Sequence, residues 1–140
     1  MKRPSAASSG SKLREALVFF IDRSLGRKIV AQALREVGEI IQIHDDHFAP
    51  DAKDEDWLAE VGKRGWIVLT KDDRIRYRVT ERSALTSAKV GAFVLTSTQL
   101  QGTEMAAAFV KALPRIKRLI ANHTPPFIGR VSRNGKVSIL

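Results

Sequence analysis

The sequence predicts a single α/β domain with a mainly parallel sheet. Short apolar segments rich in β-branched and aromatic residues alternate with segments whose apolar residues recur at helical spacing. The apolar segments contain few polar residues, which is typical of strands that helices cover on both faces. At 140 residues, the chain is long enough to bury one substantial core and too short to require a second domain.

The predicted elements follow one another in a regular order. A first helix is predicted from Leu25 to Val37 and a second after Asp54, each followed by a glycine, Gly38 or Gly65, that is suited to ending a helix. Residues 71–87 are expected to form one or two short helices. The predicted strands between these helices are 16–21, 39–43, 66–70 and 92–96.

The last third of the chain predicts a long helix and a hairpin. Thr103 is expected to cap the helix, which Pro114 would end or kink. The dipeptide Asn134-Gly135 lies between two apolar segments, 127–131 and 137–140, and this pattern favours a β-hairpin. The predicted fold is therefore a mainly parallel α/β sheet that finishes in a C-terminal β-hairpin.

Composition excludes several classes of site. The chain has no cysteine, so disulfides, thiolate metal sites and cysteine nucleophiles are excluded. No apolar run approaches the ~20 residues of a membrane span, so we expect a cytoplasmic protein without membrane contact. Residues 1–15 are rich in Ser, Ala and Lys and show no periodicity, which predicts a flexible basic arm ahead of a domain at 16–140.

The charge of the chain favours a polyanionic partner. Its 24 Lys and Arg residues against 15 Asp and Glu give a net charge of +9. The acids are concentrated between Asp45 and Asp56, whereas the last third has Glu104 as its only acid. An acidic site on a basic body suits a nuclease. Charge alone also fits a non-catalytic nucleic-acid-binding module, which stays open as an alternative.

Aspartates follow three of the predicted strands. They are Asp22, the pair Asp45-Asp46 and the pair Asp72-Asp73. Because the carboxyl ends of parallel strands meet at one edge of a sheet, these acids are expected to share one pocket. Clustered carboxylates repel one another, and a divalent cation relieves that repulsion. The pattern therefore predicts metal-dependent chemistry on a phosphate.

Three segments together resemble a known family. Their sequences are Phe-Phe-Ile-Asp-Arg-Ser-Leu at 19–25, Asp-Glu-Asp-Trp-Leu at 54–58 and Gly-Trp-Ile-Val-Leu-Thr-Lys-Asp at 65–72. In order and spacing they resemble the PIN-like domains, in particular the VapC-type toxins of bacterial toxin–antitoxin pairs. The resemblance implies a three-layer sandwich, a ribonuclease that needs Mg²⁺ or Mn²⁺, a cognate antitoxin as partner and a homodimer as one assembly.

The resemblance also implies a set of site residues. Asp22, Asp54 and Asp72 match the family's catalytic, metal-binding acids. The further ligand is left open between Glu36, Asp46 and Asp56, and Asp73 directly follows Asp72 instead of standing two residues beyond it. Asp46 and Asp73 are therefore expected to be outer metal ligands. The residues expected to bind phosphates of RNA beside the acids are Lys71, Arg74, Arg76 and Arg78.

Each candidate also has a structural explanation. Asp22 and Asp54 could cap the helices that follow them, and Asp72-Asp73 could form a turn. His44 and His47 flank two aspartates, which weakly suggests zinc or a role in orienting a phosphate. Glu81 is a candidate for supporting the metal ligands from behind.

A receiver-like phosphoacceptor domain is a further alternative. It would need a lysine at the end of a later strand, and the fourth strand ends in Thr96-Ser97-Thr98.

Overall fold

Strands and helices alternate along the chain as its sequence predicts. The computed structural model describes residues 16–97 and 99–140. The strands are β1 (Val18–Ile21), β2 (Ile40–Ile43), β3 (Ile67–Thr70), β4 (Gly91–Leu95), β5 (Phe127–Val131) and β6 (Val137–Ile139). The helices are α1 (Ile29–Glu36), α2 (Asp54–Arg64), α3 (Arg74–Tyr77), α4 (Val79–Ala88) and α5 (Gly102–Asn122).

All six strands join one sheet in the order β2-β1-β3-β4-β5-β6. Strands β1 to β5 run parallel to one another, and β6 pairs antiparallel with β5. The mainly parallel sheet and the C-terminal hairpin are both confirmed. Because the chain passes from β1 to β2 on one side and then to β3 on the other, the strand order reverses between β1 and β3.

The sheet has a separate hydrophobic core on each face. Successive residues of a strand point to opposite faces, so Phe19 and Ile21 pack with α1 and α5 while Phe20 packs with the helices on the other side. Trp57 and Leu58 of α2 lie in that second core, together with residues of α3 and α4. The predicted three-layer sandwich is therefore confirmed.

The first helix starts later than its sequence predicts. Residues Arg23–Leu25 form one turn of 3₁₀-helix, which Asp22 caps and which ends at Gly26 with φ +83°. That left-handed backbone breaks the helical path, and α1 begins only at Ile29. The periodic apolar residues of 25–37 therefore belong to two elements.

Two predicted helix caps are wrong. Lys53, and not Asp54, is the N-cap of α2, and Asp54 is its first helical residue. The long helix α5 starts at Gly102 instead of being capped by Thr103. Its N-cap is Gln101, whose backbone N–H donates to the Glu104 carboxylate in a reciprocal capping box.

Pro114 lies inside α5 without ending it. Gly38 and Gly65, by contrast, follow α1 and α2 with positive φ, as expected for residues that end a helix.

The predicted arm at 1–15 lies outside the described residues, so both it and the domain boundary stay predictions. Among the described helices, none is long and apolar enough to cross a membrane.

Candidate active site

The site lies where the strand order reverses. In open α/β sheets, ligands bind beyond the carboxyl ends of the strands at this point. Asp22 directly follows β1 and Asp72 comes two residues after the end of β3, the strand beside it. The backbone N–H of Asp22 donates to the Leu69 carbonyl at 3.0 Å, which ties the two strand ends together. Two acids that are 50 positions apart in sequence are thereby anchored to neighbouring strands.

Asp22 is held by neutral hydroxyl groups. Its side chain is largely buried, with 9% of the residue exposed, and its Oδ2 accepts hydrogen bonds from Ser24 Oγ at 2.7 Å and Thr70 Oγ1 at 2.8 Å. These donors fix the carboxylate and satisfy part of its hydrogen-bonding capacity without cancelling its charge. Asp22 is therefore fixed at the edge of the sheet by donors that carry no charge.

Thr70 links the two strand ends through one hydroxyl. While donating to Asp22, its Oγ1 accepts a hydrogen bond from the backbone N–H of Asp72 at 2.9 Å. The Thr70 side chain is buried, so water does not replace these contacts. The residue at the end of β3 thus positions both the carboxylate after β1 and the backbone of Asp72.

Asp72 is held by a cation. The Arg74 guanidinium binds both of its carboxylate oxygens, with Nε 2.9 Å from Oδ1 and 3.0 Å from Oδ2. Hydrogen bonding to Arg74 lowers the pKa of Asp72, and the positive charge of Arg74 adds to this effect. Asp72 is therefore fully ionised at neutral pH.

Asp54 completes the acidic group from α2. Its Oδ1 accepts a hydrogen bond from the Trp57 indole N–H at 2.9 Å. Burial raises the pKa of Asp54, and the negative charges of Asp22 and Asp72 raise it further. Three carboxylates from three separate parts of the sequence therefore interact electrostatically.

The same three carboxylates line a surface cavity of about 430 Å³, which we call the acid pocket. Other walls of the acid pocket are Arg23, Ser24, His44 and Arg74. The structure therefore brings together the three acids that the sequence predicts as catalytic.

Comparison with known proteins identifies the family. The family described as "PIN like domain" matches residues 17–97, which is more than half of the chain. The chain belongs to this family. A relative from Mycobacterium tuberculosis (strain ATCC 25618 / H37Rv), named "Putative ribonuclease VapC45", is 30% identical over 125 residues, covering 86% of this chain and 90% of the relative. No solved structure matches the chain with comparable significance.

The sequence predicts a smaller role for Glu81 than its position in this PIN-like domain indicates. Glu81 in the first turn of α4 lines a small inner cavity together with Asp22, Asp54 and Asp72. One of its carboxylate oxygens is buried without a hydrogen-bond partner. The sequence predicts only a supporting role for it, because the pattern of residues 71–87 leaves open whether one helix or two form there.

Two predicted outer ligands do not line either of these cavities. Asp46 lies in the 3₁₀ turn His44–Asp46, and Asp73 forms an ion pair with Arg76 at 3.2 Å. The adjacent Asp45 pairs with Arg23 at 3.2 Å. The role of Asp46 and Asp73 as metal ligands stays a prediction that the positions of their side chains do not favour.

The predicted phosphate-binding residues are distributed unevenly. Arg74 lines the acid pocket itself, whereas Lys71, Arg76 and Arg78 do not. All of them lie in the segment that follows β3, as Asp72 does. Their contact with RNA stays a prediction.

His44 lines the acid pocket while its ring is almost fully buried among three aromatic residues. The ring centroids of Phe20, Phe48 and Trp57 lie 5.4–6.0 Å from that of His44. His47 instead hydrogen-bonds Gln42 at 2.7 Å. The two histidines therefore have different surroundings, and nothing in these contacts favours zinc.

Within residues 16–97 and 99–140, no three His, Cys, Asp or Glu side chains stand close enough to hold a metal ion together. Each carboxylate of the acid pocket instead contacts a protein donor, and Arg74 supplies the neutralising charge. The donor chemistry nevertheless fits a hard divalent cation, because carboxylate and hydroxyl oxygens are the ligands that Mg²⁺ and Mn²⁺ prefer. Binding would require Asp72 to exchange Arg74 for the cation.

Proposed function

We propose that this PIN-like protein is a metal-dependent endoribonuclease and the toxin of a toxin–antitoxin pair. The observation that carries the proposal is the convergence of Asp22, Asp54 and Asp72 on one pocket at the reversal of strand order. The name of the relative supports RNA as the substrate, and the net charge of +9 supports a polyanion. We place its action in the cytoplasm.

Asp22, Asp54 and Asp72 are the proposed ligands of a divalent cation, Mg²⁺ or Mn²⁺, with Glu81 as a fourth carboxylate. When bound, the cation supplies Lewis acidity toward the phosphodiester and lowers the pKa of the attacking water. Glu81 is included because its buried oxygen lacks a partner within hydrogen-bonding distance in the described structure. A buried carboxylate oxygen without a partner is costly unless a ligand satisfies it.

Hydroxyl groups would hold the catalytic carboxylate in place, and basic side chains would orient the RNA. Ser24 and Thr70 hold Asp22 in place, so this ligand needs little reorganisation when the substrate arrives. Arg74 holds Asp72 in the free protein and would move its guanidinium to a phosphate oxygen of RNA, a partner of the same geometry. We propose that Lys71, Arg76 and Arg78 bind neighbouring phosphates.

An antitoxin would act on the same acids. The contact between Arg74 and Asp72 illustrates how an arginine can occupy the acid pocket, and we propose that an inhibitory segment of the cognate antitoxin supplies a similar basic side chain. A homodimer is part of the proposal only by analogy with the family.

The alternatives explain fewer observations. A receiver-like domain needs a lysine after a later strand, whereas Thr96 and Ser97 follow β4. Its phosphoacceptor carboxylate must also be free, and Arg74 binds both oxygens of Asp72. A non-catalytic RNA-binding module accounts for the charge and leaves the acid pocket unexplained.

A cleavage assay tests the proposal. Wild-type protein should cleave RNA with Mg²⁺ or Mn²⁺ and stop when EDTA is added. Asp22→Asn keeps the shape of the side chain and removes a charged ligand, so it should slow cleavage by roughly 100-fold or more. Glu55→Gln, an exposed change on α2, is the matched control. Full activity of Asp22→Asn, or cleavage that persists in EDTA, would overturn the proposal.

A further inference from the structure

A second cavity adjoins the acid pocket, in the segment between β1 and α1. Its volume is about 680 Å³, and its walls include the basic residues Arg23, Arg27 and Lys28. Of the described residues that line it, none is acidic. We call this cavity the basic groove.

The charge of the basic groove is accessible to solvent. The Arg27 side chain is 68% exposed, and Lys28 is also exposed. Asp45 contacts Arg23 at 3.2 Å and Arg27 at 3.7 Å, so it orients both guanidinium groups from outside the groove. One carboxylate does not neutralise three cations. The basic groove therefore keeps a positive charge toward solvent.

Apolar side chains form the floor of the basic groove. Leu25, Ile29 and Met105 line it, and Ile29 is half exposed although it is large and apolar. The first residue of α5, Gly102, packs closely on this floor, because a Cβ at that position would lie 2.8 Å from the Ile29 Cδ1. A cavity with cationic walls and an apolar floor suits a nucleotide, whose phosphate is anionic and whose base presents an apolar face.

The start of α5 does not account for the charge of the basic groove. Its backbone N–H groups are partly satisfied by the capping box between Gln101 and Glu104. The positive charge comes from the side chains of Arg23, Arg27 and Lys28, which follow β1.

The basic groove lies next to the acid pocket, because Arg23 and Ser24 line both cavities. Ser24 also donates to Asp22, so the shared wall contains a residue that positions a catalytic acid. A strand of RNA whose scissile phosphate reaches Asp22 can therefore extend into the basic groove without leaving the surface.

We propose that the basic groove binds the nucleotide next to the scissile phosphate of single-stranded RNA. Arg27 and Lys28 bind its phosphate, and its base rests on Ile29 and Met105. This subsite rests on the proposed nuclease function and extends it, because it makes cleavage depend on the nucleotides that flank the scissile bond. It also adds contacts after β1 to those predicted for Lys71, Arg74, Arg76 and Arg78 after β3.

The test compares two substrates in two charge-reversed variants. The groove variant is Arg27→Glu/Lys28→Glu. The control variant is Arg118→Glu/Lys136→Glu, which makes the same change in net charge at exposed positions of α5 and the hairpin. The substrates are a single-stranded oligoribonucleotide and bis(p-nitrophenyl) phosphate, a phosphodiester that carries no flanking nucleotide. Thermal melts verify that both variants fold.

The groove variant should raise the KM for the oligoribonucleotide about tenfold or more relative to the control variant, with a much smaller effect on the small diester. Its RNA binding should also depend less on salt, with the slope of log Kd against log salt lower by roughly 0.7, because one phosphate loses its cationic partners. Equal KM values and equal salt slopes in the two variants would overturn the proposed subsite. A protein partner would then be the remaining candidate for the basic groove. Equal losses on both substrates would overturn it as well.

The outcomes separate the subsite from the proposed function. If wild-type protein hydrolyses neither substrate with Mg²⁺ or Mn²⁺, the nuclease proposal fails. In that case, fluorescence anisotropy with the labelled oligoribonucleotide still tests the basic groove. Weaker binding by the groove variant than by the control variant would support an RNA site without hydrolysis, and equal binding would overturn it.

Discussion

The segments after β1 and β3 hold their aspartates in different ways. Asp22 is buried and accepts hydrogen bonds from two hydroxyl groups, whereas Asp72 is partly exposed and pairs with Arg74. Hydroxyl donors orient a carboxylate and leave its charge for a ligand. A guanidinium orients the carboxylate and neutralises it, so the two sides of the acid pocket are prepared for a cation to different degrees.

The largest effect on stability is expected at Thr70, whose hydroxyl joins the two sides of the acid pocket. Thr70→Val keeps the branched shape, removes the donor to Asp22 and removes the acceptor for the Asp72 N–H. Because the Asp72 N–H loses its partner and the buried Asp22 carboxylate keeps only Ser24 as a hydroxyl donor, the free energy of unfolding should fall by about 1–3 kcal/mol in urea denaturation.

Thr86→Val is the matched control, because the Thr86 hydroxyl donates to a helical carbonyl at an exposed position. Its cost should stay within about 0.5 kcal/mol. Equal costs for the two variants would mean that the strand ends are joined by other contacts and that Thr70 has no special role.

A smaller effect on stability is expected when Arg74, which pairs with Asp72 in the free protein, is replaced. Arg74→Met frees Asp72 to bind an added ion, so the thermal shift produced by Mn²⁺ should exceed that of the wild type. An exposed ion pair of this kind is worth up to about 1 kcal/mol, which limits the gain in Mn²⁺ affinity to roughly fivefold.

Arg76→Met, which removes the partner of Asp73 instead, is the control and should respond to Mn²⁺ as the wild type does. Since Arg74 lowers the pKa of Asp72, the pair stabilises the wild type above the unfolded pKa, and this stabilisation is lost as the pH falls through the folded pKa. Arg74→Met should therefore lose stability at neutral pH and little in acid. A reduced Mn²⁺ shift would contradict competition between Arg74 and the ion.

The smallest effect is expected at Asp54, whose pKa is raised. A raised pKa means that the folded protein binds more protons than the unfolded chain, so this group costs stability as the pH rises through the window above its unfolded pKa. In EDTA, Asp54→Asn should therefore gain a few tenths of a kcal/mol over wild type at neutral pH and nothing in strong acid, after allowing for solvent screening.

Thermal melts in acidic and neutral buffer measure this difference. Asp56→Asn, in the same first turn of α2 and exposed, should show no such gain at neutral pH. If Asp54→Asn changes stability at neutral pH to the same extent as in acid, then neither burial nor the neighbouring carboxylates raise the pKa of Asp54.

The strands were predictable because buried parallel strands are apolar along their whole length. Strands β3 and β4 are buried on both faces, so each is an unbroken run of mostly apolar residues in the sequence. The predicted ends of both strands lie within one residue of the observed ends. The helix starts were less predictable. Asp22 is a good capping residue and does cap a turn, and only Gly26 reveals that this turn is not the beginning of α1.

The site was predictable where an acid follows a strand within two residues, since the strand end fixes its place. Asp22 and Asp72 belong to this class, and the resemblance added Asp54. Asp46 and Asp73 looked equivalent in sequence, yet local geometry decides their surroundings: Asp46 ends a 3₁₀ turn, and Asp73 pairs with Arg76. Contacts between distant segments, such as Thr70 with Asp22, cannot be predicted from the local pattern of the sequence.

The indole of Trp57 gives the acid pocket an optical reporter. Its N–H donates to the Asp54 carboxylate, so any change in the charge of that oxygen alters the polarity around an emitting group. The only other tryptophan, Trp66, lies outside the acid pocket with the Arg64 guanidinium 5.0 Å from its ring centroid. Intrinsic emission can therefore be assigned to the pocket by replacing Trp66 with phenylalanine, without attaching a label to a chain that has no cysteine.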